Sequence, residues 1–385
     1  MKGRHTVVPW VLLFFFILLF PVSVRGEKQE DNSLSEIQEE LLDKISLTDV
    51  QKMVDELLDD QSFSLGEAVR GLMSGEKLFS REALKDFFRS LFFRRLEKDR
   101  LLFAKILVLI LMAAIFSNFA EVFDSGQIGE ICFYMVYLLL FTLLMGAFSD
   151  ISRNLSERLD WIAMFMKGLA PAYLMAVTAS SGPSTAAVFY EGILFLVWVI
   201  QWILVNVILP GVNLYVLIRL VNHLSREEML GKMGELLNTM ICWSLKTLLG
   251  AAVGLQVVQN LVAPVLDSLK RSALGKTAGA LPGIGNAVNM VTELILASAV
   301  LVRNCMGAAF LAVLVFAAAE PVIHYGGMSL ACRFLAAVSQ PVSDKRMVEC
   351  LSTMGEGCAL LLKVLFTAEV MCMLALVILM TGMGG

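Results

Sequence analysis

Charge is scarce in this chain. Only 17% of its 385 residues are Asp, Glu, Lys or Arg, and the formal net charge is −4. No basic surface of the kind that holds nucleic acid is expected. Histidine is scarcer still: His5, His223 and His324 are the whole complement, too few and too scattered for a metal centre. Seven cysteines occur without one C-x-x-C pair, and the polar amino-terminal region has none. All lie in or beside apolar runs, so buried thiols behaving as small hydrophobes are expected. H-E-x-x-H and G-x-S-x-G are both missing, which removes two common hydrolase signatures. Gly275-Lys276-Thr277 ends like a phosphate-binding loop, but Lys270 stands where that motif requires its first glycine. No catalytic residue, metal ligand or cofactor follows from these patterns.

Apolar residues are what the chain has. They make up 57% of it, and mean hydropathy is +0.74. That composition reads as an all-α polytopic membrane protein. Its most informative stretch is 270–321, which opens on a cationic rim of Lys270, Arg271 and Lys276. Gly275, Gly279 and Gly283 then recur every fourth residue, a spacing that lets another helix backbone approach closely. Pro282 removes a backbone donor and predicts a break. The apolar run that follows carries Asn286, Asn289, Glu293, Arg303, Asn304 and Glu320. Polar groups at bilayer depth face protein or water rather than lipid. Asn286, Asn289 and Glu293 share one helical stripe by their spacing of three and four.

In chain order, residues 1–26 read as a signal peptide. Lys2, Arg4 and His5 precede a short apolar core, with Val24 and Gly26 at a cleavage point. The rival is an uncleaved anchor, for which the core is short. Residues 27–78 form an acidic region of amphipathic helices, expected outside the cytoplasm. Thr48 with Gln51 and Ser64 with Glu67 mark helix starts there. Residues 79–100 form a basic, Phe-rich amphipathic helix, suited either to the headgroup plane or to a solvated position against the chain's own membrane domain. The first two transmembrane helices are expected within 101–158, at 101–120 and 131–148. Further spans are expected at 161–180, 188–209 and 240–263, then one or two between 283 and 321, and a last at 360–380. The total is about seven. The stretch 214–224 is too short to span and reads as re-entrant or interfacial. Gly250 and Gly254 form another small-residue pair, and Pro171, Pro210, Pro282 and Pro321 are the expected helix breaks.

These prolines also suggest an internal duplication. Pro171 and Pro282 stand as far apart as Pro210 and Pro321, and Leu224 and Leu335 keep that offset. After a short insertion, Lys246 and Lys363 recur in similar apolar settings. The expected units are 159–263 and 264–385. Paired, interrupted segments in two halves are the pattern of transporters with a midplane site.

The run SALGKTAGALPGIGNAVNMVTELILASAVLVRN, following signal, acidic helices and multiple spans, resembles the stage III sporulation protein AE family of endospore-forming bacteria. The resemblance covers nearly the whole chain and is most specific from 267 to 321. It implies a non-enzymatic membrane component of the complex encoded with sporulation proteins AA to AH. That complex sits in the mother-cell membrane around the forespore. With stage II sporulation protein Q it forms a secretion-like channel that supports late forespore gene expression. Partners implied are the other stage III sporulation A-operon membrane proteins, the lipid bilayer and further copies of the chain. The competing reading is a self-sufficient small-molecule transporter, since repeats and broken helices suit both.

Overall fold

The computed structural model describes residues 39–40, 42, 45, 47–58, 64–74, 81–122, 126–181, 183–224, 229–278, 285–341 and 343–381. The signal-peptide reading, Gly279, Pro282 and Gly283 lie outside them. Among the described residues every regular element is helical. Two short helices come first, α1 (Thr48–Leu58) and α2 (Leu65–Met73). Ser64 caps α2 by accepting from the Glu67 N–H at 3.3 Å. Gln51, expected to close a box with Thr48, carries its Oε1 to the Leu65 N–H at 2.8 Å and so joins α1 to α2. Val50, Val54, Leu65, Val69 and Leu72 are buried. The acidic region therefore packs on the membrane domain, α1 against α4 and α2 against α8.

The helices that follow are longer than the hydropathy runs. The basic amphipathic stretch and the first expected span are one helix, α3 (Arg81–Val122). The second and third expected spans are one helix of 56 residues, α4 (Gly126–Ser181). At 1.5 Å per residue α4 is about 84 Å long, far beyond a hydrocarbon core of about 30 Å, so no single bilayer contains it. Its charged middle, with Asp150, Arg153 and Asp160 exposed, separates two apolar ends.

Next come α5 (Pro183–Ile203), a π turn (Leu204–Ile208) and α6 (Leu209–Leu224), which form one continuous helical run. The stretch 214–224 is thus the end of a long helix and not a re-entrant segment. The chain turns back into α7 (Gly231–Ala278), then forms α8 (Gly285–Ser339) and α9 (Lys345–Thr381). Five of these helical runs are long and apolar enough to cross a membrane within the described residues: Tyr134–Leu169, Glu191–Leu224, Gly231–Gly254, Ala297–Ser339 and Lys345–Ile378.

The breaks expected at Pro171, Pro210 and Pro321 do not occur; helix continues through each. In water an interior proline costs about 3 kcal/mol and ends a helix. In an apolar interior the alternative is more unpaired backbone, which costs more. At Pro210 the accommodation is visible. The preceding π turn shifts the hydrogen-bond register by one residue, with the Leu209 N–H bonded to the Leu204 carbonyl.

The centre of the bundle is α9. It runs parallel to α4, with Gly357 against Phe148 and the Arg158 charge acting on Glu369. It runs antiparallel to α6, pairing Tyr215 with Glu356 and His223 with Thr353. It runs antiparallel to α8, where Ser329 Oγ donates to the Gly355 carbonyl at 2.7 Å. Cys358, Leu361, Val364 and Leu365 are wholly buried between these neighbours. Stacked Trp161 and Phe165, with Phe310 edge-on to Phe165, anchor α4 to α8.

Candidate functional site: a polar seam along α9

Two glycines let the neighbours reach α9. A Cβ on Gly357 would lie 2.5 Å from Val216 Cγ2 and 2.8 Å from Phe148 Cε2. One on Gly355 would lie 2.9 Å from Arg333 Cγ and 3.1 Å from the Ser329 carbonyl oxygen. These are the observed close approaches of the core, and the four-residue glycine spacing missed them because Gly355 and Gly357 are two apart. Gly250 and Gly254 instead face outward on α7, with nothing among the described residues within 4 Å of an added Cβ. Gly275 lies on α7, and its surroundings fall outside the description.

Around these contacts runs a seam of polar groups. At one end Tyr215 Oη donates to Glu356 Oε2 at 2.8 Å. His223 lies 3.1 Å from Thr353 Oγ1 through Nε2 and 3.2 Å from Glu349 Oε2 through Nδ1. Tyr137 Oη donates to the Leu220 carbonyl at 2.6 Å, tying α4 to α6. Lys363, half-buried, points its Nζ at Cys242 Sγ, 3.7 Å away on α7.

Further along, Arg158 pairs with Glu320 at 3.4 Å, which joins α4 to α8. The same guanidinium is the charge that bears on Glu369 of α9. Glu369 is 1% exposed, and among the described residues neither carboxyl oxygen has a hydrogen-bond partner. Gln201 on α5 is also buried with neither amide atom bonded. The Cys372 thiol beside it is a weak partner. An unsatisfied buried polar group costs about 1–3 kcal/mol. A site that keeps two of them, from facing helices, has capacity for a proton, a water or a polar segment.

The expected polar residues are thus divided. Glu320 and Lys363 belong to the seam. Arg303 is buried and Asn304 half-buried on α8, and Lys246 is exposed on α7. Asn286, Asn289 and Glu293 lie on the first turns of α8, with side chains outside the description. Pro321 is buried in α8, Pro210 is exposed, and Pro171 lies within α4. Glu369 and Gln201 were missed, although each is a polar residue in an apolar run, the signal that singled out Glu293. Cys305, Cys332, Cys350, Cys358 and Cys372 are buried free thiols.

The family described as Stage III sporulation protein AE (spore_III_AE) matches residues 63–383. The stage III sporulation protein AE of Bacillus subtilis (strain 168) is 23% identical over 387 residues, covering 97% of this chain and 97% of that relative. No solved structure matches the chain.

Proposed function

Because the chain belongs to the stage III sporulation protein AE family, we propose that it is a non-enzymatic membrane component of a sporulation channel complex. In this reading it sits in the mother-cell membrane around the forespore. It assembles with the other stage III sporulation A-operon membrane proteins and, through them, with stage II sporulation protein Q. Its contribution supports late forespore gene expression.

The observation that carries the reading is the uneven covering of the bundle. Of the most apolar window, 72% is buried in α9 and 67% in α8, but only 17% in α7. Lipid covers an apolar face by itself, but it does not satisfy the exposed Lys246 within that apolar helix, and this favours a component whose α7 meets a neighbour. Glu369 and Gln201 favour the second reading, a small-molecule transporter, because buried polar groups at membrane depth mark substrate or ion paths. The proposed duplication gains support from the two hairpins, α6 with α7 and α8 with α9. Since α6 and α8 both run antiparallel to α9, a parallel repeat fits better than an inverted one.

Affinity purification from sporulating cells in mild detergent tests the proposal. Other proteins of the stage III sporulation A operon should co-purify. Recovery of this chain alone overturns it.

A further inference from the structure

The outward face of α7 combines three features that lipid alone does not satisfy. Lys246, Gly250 and Gly254 follow one another at four-residue intervals, so they lie on one stripe, and all three are exposed. Among the described residues nothing within 4 Å would meet a side chain at either glycine, which leaves a shallow groove beside the ammonium. Large apolar side chains border it, with Met240, Trp243, Val253 and Val257 between 48% and 68% exposed. Among the described residues no carboxylate pairs with Lys246 or with Lys363, which reaches only Cys242 on the edge of the same helix. A lysine in the middle of an apolar helix costs about 2.5–3.5 kcal/mol against lipid.

We propose that the Lys246–Gly250–Gly254 face of α7 is the docking site for a transmembrane helix of another protein that carries a carboxylate opposite Lys246. This rests on the reading of the chain as part of a complex and names the chemistry of one contact. The glycines admit the partner backbone, the apolar border covers its flanks, and the carboxylate neutralises the ammonium. A second copy of this chain fits poorly. Two copies with the same membrane orientation pair about an axis along the membrane normal, which sets Lys246 against Lys246. Of the two carboxylates on α7, Glu235 lies 11 residues from Lys246, about 16 Å along the axis, and already meets Lys232 at 2.9 Å, and Asp267 lies 21 residues away, about 32 Å along the axis.

The test uses the full chain in its native cells, with a photo-crosslinking amino acid replacing Trp243 on the border of the groove and, as a control, at Trp198 on the exposed side of α5. The expected product at 243 joins an apolar helix of another membrane protein with Asp or Glu within about one turn of the crosslink. Lys246→Glu should lower the amount of that protein recovered about tenfold, a loss of the order of 1.4 kcal/mol. Exchanging the partner carboxylate for Lys should restore it. Crosslinks only to lipid, to a second copy, or to a helix without a carboxylate overturn the proposal, as does unchanged recovery with Lys246→Glu. If no partner co-purifies with the unmodified chain, the reading as a complex component fails first. If the complex persists with Lys246→Glu, only the docking site fails.

Discussion

At the scale of single residues, the glycines and the buried carboxyl give opposite predictions. Gly357→Leu forces a side chain into Val216 and Phe148. It should destabilise the protein by about 1–3 kcal/mol, by overpacking. Gly250→Leu, which meets nothing, should change stability by less than about 0.5 kcal/mol. Thermal unfolding in detergent separates the two, and equal losses would mean α7 is covered within the chain. Glu369→Leu removes two unsatisfied oxygens from the core. Stability should rise by about 1 kcal/mol, while the activity of the assembly falls if the seam is functional. A lower midpoint for Glu369→Leu would show that the carboxyl has a structural partner. Polar residues inside apolar runs were legible in the sequence one by one. Which of them meet was not, because Arg158 and Glu320 lie 162 residues apart and only the packing of α4 on α8 joins them.

At the scale of elements, α9 is laced to α6 by Tyr215 and His223. Tyr215→Phe deletes a hydrogen bond to a carboxylate and should cost about 1.5–3 kcal/mol. Thr247→Ala on exposed α7, where the hydroxyl only returns to the Trp243 carbonyl, should cost almost nothing. A Tyr215→Phe protein with an unchanged unfolding midpoint would contradict the lacing. Helical membrane character was plain from hydropathy, as were the starts of α1 at Thr48 and of α2 after Ser64. Helix continuity was not. Proline and short charged runs punctuate helices in water, where freed backbone groups find solvent. Here Pro210 is absorbed by a π turn, and the charged middle of α4 stays helical between two apolar ends.

At the scale of the whole molecule, the sequence placed the organising stretch at 270–321, on the strength of its glycines and polar groups. The structure places the centre of packing at α9, because contacts between distant helices decide what is central. α9 touches α4, α5, α6, α7 and α8. That closed core, with α7 left bare, is the basis for reading the chain as one part of a larger channel. The central claim is that it does not conduct alone. Solute flux through vesicles holding the purified chain, compared with vesicles holding the co-purified assembly, tests this most directly. The account predicts flux only with the assembly, and flux of the same size through the chain alone would contradict it.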